Sequence, residues 1–95
     1  MAMVARDPLD AFCLYGVAQE HAKADRLDQA IEWFERVLAV EPDHAYAHFH
    51  LAKVLERAGR VPAAVDTLRR GLQAARQAGD AKAAGELAGY LDELT

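Results

Sequence analysis

The stretch Phe12–Leu38, FCLYGVAQEHAKADRLDQAIEWFERVL, returns in outline 34 residues later as Tyr46–Leu72, YAHFHLAKVLERAGRVPAAVDTLRRGL. The shift pairs Ala18 with Ala52, Ala30 with Ala64, Phe34 with Leu68 and Leu38 with Leu72. Self-similarity at this period indicates a stack of two-helix units, each of which cannot bury its apolar face alone. Such stacks usually present a surface to a partner, so the repeat favours a binding function over a catalytic one.

The spacing of apolar residues is helical along the whole chain, and no segment alternates apolar and polar residues as a strand would. Pro8 suits the first turn of a helix, and Gly59 suits a left-handed helix end. Pro42 disfavours helical geometry in the residue before it. The sequence therefore predicts five helices: one starting at Asp7-Pro8, then about Leu27–Val40, His44–Ala58, one opening at Val61-Pro62, and Ala81–Glu93 behind Asp80.

Composition indicates one globular domain over residues 1–95, since 53% of residues are hydrophobic and 27% are charged. The net charge of −4 makes nucleic acid an unfavourable partner. A single cysteine, Cys13, precludes an internal disulfide and a cysteine-built zinc site. No stretch reaches the roughly 18 consecutive apolar residues of a membrane span, and Met1–Arg6 lacks the apolar core of a signal peptide. We therefore expect a cytoplasmic protein with no membrane contact.

These residues resemble the tetratricopeptide repeat family from about Ala11 to Ala78. The family requires small residues where helices cross, a large residue after them and a closing proline, which match here Ala18, Ala30, Ala52, Ala64, Phe34, Leu68 and Pro42. The resemblance implies an all-α fold of antiparallel helix-turn-helix repeats, stacked as a short right-handed superhelix of five helices. Repeat 1 would cover about 11–44, repeat 2 about 45–78, and a C-terminal capping helix about 80–94.

The chain departs from the family pattern at four positions. Leu14 and His48 stand where the family prefers tryptophan, and Asp25 replaces the turn glycine that Gly59 supplies in the second repeat. Arg76 stands where the second repeat would have its proline, so the fourth helix is expected to run about a turn longer.

The resemblance also implies a concave groove, lined by the first helix of each pair, where extended peptides bind. The matching positions are Phe12, Tyr15, Gln19, Lys23, Tyr46, Phe49, His50, Lys53 and Arg57. This set is aromatic and cationic on an acidic chain, which favours a peptide that carries carboxylates. Some family members clamp chaperone C-termini with a Lys/Asn/Arg set. Gln19 and His50 stand at the asparagine positions here, so that specificity is not predicted.

A purely structural interpretation remains open for the same residues. Lys23 and Arg57 lie in the last turns of their helices, where cations stabilise the helix dipole. The aromatic side chains of Tyr15, Tyr46 and Phe49 could instead pack against neighbouring helices. The alternative function is a self-associating homodimer without a peptide ligand, because two repeats and a cap are near the lower limit for a stable stack. Trp33, Phe12 or Tyr90 would then belong to the dimer interface.

Catalytic, cofactor and metal sites have little support in the sequence. The chain has no serine, and its glycines are too scattered to form a phosphate-binding loop. His44 and His48 have the four-residue spacing of a helical zinc pair, but His44 is expected at the helix start. His48 and His50 point about 160° apart on a helix. We therefore predict a non-enzymatic module with no cofactor and no metal.

Overall fold

The computed structural model describes residues 10–95, which form five α-helices and no strand. These helices are α1 (Ala11–Lys23), α2 (Leu27–Val40), α3 (Ala45–Arg57), α4 (Val61–Gln77) and α5 (Ala81–Leu94). The all-α fold and the five helices are confirmed. The predicted start at Asp7-Pro8 lies outside the described residues. Within them, α1 begins after Asp10, whose carboxylate accepts a hydrogen bond from the Phe12 N–H at 2.7 Å.

Helices that follow one another in the chain pack side by side: α1 on α2, α2 on α3, α3 on α4 and α4 on α5. The α3 helix also contacts α5, and ring contacts join it to α1. As a result, α1, α3 and α5 share one side of the molecule, while α2 and α4 form the other. On the side that carries α1, α3 and α5, the central α3 lies between the other two helices and contacts both.

The core lies where the predicted small residues let the helices cross. All four repeat alanines and both large residues that follow them have no exposed surface: Ala18, Ala30, Ala52, Ala64, Phe34 and Leu68. A smaller cluster between α1, α2 and α3 contains Leu14, Val37 and Ala47. Leu14, at a position where the family prefers tryptophan, is buried there, so it fulfils the packing role with a smaller side chain.

The same turn closes three of the helices. The Arg26 N–H donates to His21 O, Arg60 to Leu55 O and Asp80 to Ala75 O, the six-to-one bond of a Schellman motif. The residue before each donor has a positive φ: Asp25 (62°), Gly59 (79°) and Gly79 (72°). The left-handed end predicted at Gly59 is therefore confirmed, and Asp25 adopts the same conformation at the usual glycine position.

Helical spacing predicts that the inner faces carry Val17 of α1, Leu38 of α2, Val65 of α4, and Ala84, Leu87, Ala88, Leu91 and Leu94 of α5. The structure corrects this prediction on four helices. On α1, Val17 is 37% exposed, because α2 packs on the side that carries Leu14 and Ala18. Leu38 and Val65 are only half-buried. On α5 the most buried residues are Ala83, Leu87 and Tyr90, whereas Ala84, Ala88, Leu91 and Leu94 are half-buried. The stripe is rotated because α5 packs against α4 and also turns its Tyr90 side towards α3.

The α4 helix has 17 residues, three more than α2, as the replacement of the closing proline by Arg76 predicts. Its Gly71 faces the buried His48 of α3. Glycine inside a helix costs about 1 kcal/mol relative to alanine, and the close crossing of α3 and α4 at this residue compensates for that cost.

Candidate functional site

Two cavities lie along the side formed by α1, α3 and α5. The α1–α3 cavity has a volume of about 340 Å³ and includes Gln19 and Lys23 of α1 in its lining. The α3–α5 cavity has a volume of about 580 Å³ and includes Tyr46 and Phe49 of α3. Both cavities are lined by His50, Lys53 and Arg57. These three residues are spaced i, i+3 and i+7, so they occupy one face of α3 and join the cavities into a single groove.

Cations dominate the α1–α3 cavity. Lys23, Lys53 and Arg57 line it, and no carboxylate is among its lining residues. Lys23 lies 3.7 Å from Glu20 in an exposed pair, and Arg57 pairs with Asp25 while its second nitrogen donates to Ala22 O at 3.4 Å. Within residues 10–95 Lys53 makes no salt bridge, and its ammonium lies over the Phe49 and Tyr90 rings.

An aromatic cluster surrounds His50 at the middle of the groove. Its ring centroid lies 5.9 Å from that of Tyr15, 6.3 Å from Phe34 and 5.5 Å from Phe49. Desolvation by these neighbours lowers the pKa of His50, and the positive charge of Lys53 lowers it further. His50 is therefore neutral at pH 7, where it offers a flat ring rather than a charge.

The predicted groove residues are not all brought together. Tyr15 stacks on His44 with ring centroids 5.0 Å apart and meets Phe34 edge-on at 5.9 Å, which is the inter-helix packing that the structural interpretation describes. Phe12 is 69% exposed and lies one turn away on α1. Neither residue lines the two cavities. The other seven do: Gln19, Lys23, Tyr46, Phe49, His50, Lys53 and Arg57.

The fifth helix contributes groove residues that sequence reasoning missed. Gly85, Glu86, Gly89, Tyr90 and Glu93 line the α3–α5 cavity. The sequence analysis assigned Tyr90 only to a hypothetical dimer interface, and the groove set contained no α5 residue. The i, i+3, i+7 spacing of Glu86, Gly89 and Glu93 shows that they share a helix face, but it does not say which helix that face meets.

Carboxylates and tyrosines meet across the α3–α5 cavity. The Tyr90 hydroxyl donates a hydrogen bond to the Glu56 carboxylate. Desolvation raises the pKa of Tyr90, and Glu56 raises it further. The Glu86 carboxylate raises the pKa of Tyr46 by accepting a hydrogen bond from its hydroxyl. Both tyrosines are therefore protonated hydrogen-bond donors at neutral pH. Their acceptors, Glu56 and Glu86, line the cavity.

Two of the histidines have structural roles. His44 Nδ1 accepts from the Ala47 N–H at 3.1 Å and caps α3, while His48 Nδ1 donates to His44 O at 3.0 Å. His48 is 3% exposed, as expected of a packing position. Among residues 10–95, no group of three or more His, Cys, Asp or Glu side chains is arranged to hold a metal ion. No helix in that range is both long enough and apolar enough to cross a membrane.

The same architecture occurs in solved structures. The chain is 36% identical to a tetratricopeptide repeat domain protein from Salinibacter ruber in its solution NMR structure, with a TM-score of 0.87 over 94% of this chain and 90% of that one. A crystal structure of such a protein from the same organism gives 35% identity and a TM-score of 0.82, over 90% and 96% of the chains. Protein BPP2914 from Bordetella parapertussis shares the fold at 24% identity, with a TM-score of 0.81 over 98% and 78%.

Sequence comparison agrees with these structures. A curated relative, the tetratricopeptide repeat and J domain-containing co-chaperone DNJ1 of Fusarium oxysporum f. sp. lycopersici, is 36% identical over 58 residues. The match covers 61% of this chain and 11% of the relative, so the chain spans about a tenth of that protein's length. A family model described as tetratricopeptide repeat matches residues 15–88. The chain therefore belongs to the tetratricopeptide repeat family.

Proposed function

We propose that this protein is an interaction adaptor that binds an extended peptide segment in the groove along α1, α3 and α5. Tetratricopeptide repeats generally mediate protein–protein interaction. The segment carries at least one carboxylate, a side chain or a free C-terminus, which binds in the α1–α3 cavity.

The cation set of that cavity is the observation that carries the proposal. Lys53 lines it from α3 without a salt bridge among the described residues, and its ammonium lies over the neighbouring Phe49 and Tyr90 rings. Lys23 and Arg57 line the same cavity. Phe34 and Val54 provide apolar surface in the same cavity. A carboxylate there would be held by charge-assisted hydrogen bonds, and the apolar carbons next to it would be desolvated.

A peptide selection tests this function directly. A displayed library of random twelve-residue peptides with free C-termini is selected on the wild-type chain, on Lys53→Glu, and on Lys82→Glu. Lys82 is exposed on α5 and lines neither cavity, so its variant is a matched control for net charge. We expect the wild type and the control to enrich peptides with Asp, Glu or a fixed C-terminal carboxylate, and Lys53→Glu to lose that preference.

Affinities of the selected peptides provide the second measurement. Fluorescence anisotropy should show binding at least tenfold weaker to Lys53→Glu than to wild type, which corresponds to about 1.4 kcal/mol. Pools without acidic enrichment, or equal affinities for all three proteins, would overturn the proposal. So would sedimentation of the wild type as a dimer that binds no library peptide, because that result is the signature of a self-associating module.

A further inference from the structure

We propose that the α3–α5 cavity is a subsite for a lysine or arginine side chain of the same bound segment. The inference rests on the proposed function, because it takes the acidic part of the segment to bind in the neighbouring α1–α3 cavity. The ligand is thus a segment with both charges, and its basic residue lies towards α5.

Aromatic walls make the cavity suitable for a long cationic side chain. Phe49 of α3 and Tyr90 of α5 lie with ring centroids 5.5 Å apart, and Tyr46 lines the cavity beside them. The Lys53 ammonium already lies 5.4 Å from the Phe49 centroid and 5.7 Å from that of Tyr90. The Lys53 ammonium thus already lies at these ring faces in the folded chain. A lysine or arginine of the ligand would pack its aliphatic part on the remaining ring surface and carry its charge towards α5.

The carboxylates of α5 provide the opposite charge. Glu86 and Glu93 are seven residues apart, so both face the cavity from one side of the helix, separated by about 10.5 Å along its axis. Neither makes a salt bridge within residues 10–95, although Glu86 accepts the Tyr46 hydroxyl, as the third carboxylate, Glu56, accepts that of Tyr90. A ligand cation between Glu86 and Glu93 would therefore give both carboxylates a salt-bridge partner that the described part of the chain does not supply.

Two glycines leave this side of the cavity open. Gly85 and Gly89 lie inside α5, where glycine is unfavourable, and a Cβ atom on either would meet nothing within 4 Å. Packing within the chain explains Gly71, whose Cβ would collide with His48, but it does not explain these two. Their missing side chains let a peptide backbone approach α5 closely. The cavity thus combines aromatic walls, the Glu86 and Glu93 carboxylates and open space on its α5 side, while its own cations, Lys53 and Arg57, lie on the α3 side.

A charge reversal tests the subsite. The same twelve-residue library is selected on wild type, on Glu86→Lys/Glu93→Lys, and on Glu41→Lys/Asp92→Lys. The control variant makes the same change of net charge at exposed carboxylates that line neither cavity. We expect wild type and control to enrich Lys or Arg at a fixed spacing from the acidic position. The Glu86→Lys/Glu93→Lys variant should enrich Asp or Glu at that spacing, and its acidic position should remain.

The outcomes separate this inference from the function on which it rests. If the wild type enriches peptides with acidic residues but with no Lys or Arg at a fixed spacing from them, the subsite is overturned and the proposed adaptor function stands. A basic position that survives the charge reversal also overturns the subsite. A pool with neither preference overturns both proposals.

The glycines allow an independent test, because stability and binding should change in opposite directions. Gly85→Ala/Gly89→Ala should raise the melting temperature and weaken a selected peptide at least tenfold. Gly16→Ala is the matched control, since Gly16 is exposed inside α1 with nothing within 4 Å of its Cβ position and lines neither cavity. It should raise the melting temperature and leave binding unchanged. Unchanged binding by the Gly85→Ala/Gly89→Ala variant would contradict the subsite.

Discussion

A Cβ atom placed on Gly71 of α4 would lie 2.5 Å from the Cβ of His48 and 2.9 Å from its Cγ on α3. Real Cβ atoms do not approach this closely. The second-repeat helices therefore cross with backbone against side chain, and a buried histidine occupies the position where the family prefers tryptophan. The contact makes the glycine a requirement of the tertiary structure.

Substitution Gly71→Ala is expected to destabilise the fold by about 2 kcal/mol. Overpacking costs up to about 3 kcal/mol, because the His48 Cβ cannot rotate away from its own backbone, and the helix preference of alanine offsets about 1 kcal/mol. Urea unfolding followed by circular dichroism measures the change. Gly16→Ala, which has open space around it, should instead stabilise the chain by about 0.5–1 kcal/mol. A Gly71→Ala variant as stable as wild type would show that the two helices can separate without cost.

Asp25 combines a left-handed backbone with an ion pair to Arg57 of the second repeat. Replacement by alanine or by glycine removes the carboxylate equally, but only alanine retains the steric cost of the positive φ. We expect Asp25→Gly to be more stable than Asp25→Ala by about 1 kcal/mol. The ion pair is exposed and should contribute no more than about 1 kcal/mol. A double-mutant cycle with Arg57→Ala measures that pair, and equal stability of the two Asp25 variants would argue against the left-handed turn.

The histidines His48 and His50 should make the fold less stable in mild acid. Desolvation lowers the pKa of both in the folded chain, so below about pH 6.5 the unfolded chain binds protons that the folded chain does not. Stability is therefore full above the unfolded pKa and falls as the pH drops from there towards the folded pKa values. Nuclear magnetic resonance titration of the imidazole Hε1 signals should give midpoints below 6.5 for both residues. Midpoints at or above that value would contradict the burial argument.

Leu87 of α5 packs in the core against the preceding helices. It is 1% exposed and belongs to the same core cluster as Leu68 and Leu72 of α4. We expect Leu87→Ala to lower the free energy of unfolding by about 3 kcal/mol, since the cavity it leaves is enclosed by α4. The control variant Val40→Ala, at a side chain that is 50% exposed, should change the free energy of unfolding by less than about 0.5 kcal/mol. Chemical denaturation of both variants makes the comparison, and a small effect at Leu87 would indicate that α5 packs loosely.

The helices and their ends could be predicted closely from the sequence. The bounds of α2 agree with the predicted Leu27–Val40, and Asp80 caps α5 through its carboxylate, which accepts the Ala83 N–H at 3.0 Å. The left-handed Gly59 was predicted as well. These features depend on residues within one or two turns of each other, where backbone preferences and capping act. The inner faces of the helices were predicted less accurately, because an apolar stripe does not specify which of its residues the neighbouring helices cover.

Only part of the candidate groove could be predicted from the sequence. The contribution of α3 followed from the resemblance to the family, in which the first helix of each pair lines the groove. The sequence left open whether Tyr15 binds a partner or packs, and its ring lies against Phe34 and His44 in the packing between helices. The α5 residues were missed, because no pattern in that helix states which of its faces meets α3.

The sequence alone determined the two-helix repeat, the buried alanines and the positions where helices stop, because these follow from a 34-residue period and from local chain chemistry. Only the tertiary structure decided that Lys53 of α3 lies between a cationic cavity and one lined by Glu86 and Glu93. That juxtaposition depends on the rotation of α5, which is set by the burial of Leu87 and Tyr90 against the preceding helices. Side-chain packing between helices, rather than any local preference, therefore brings the opposite charges of the groove together.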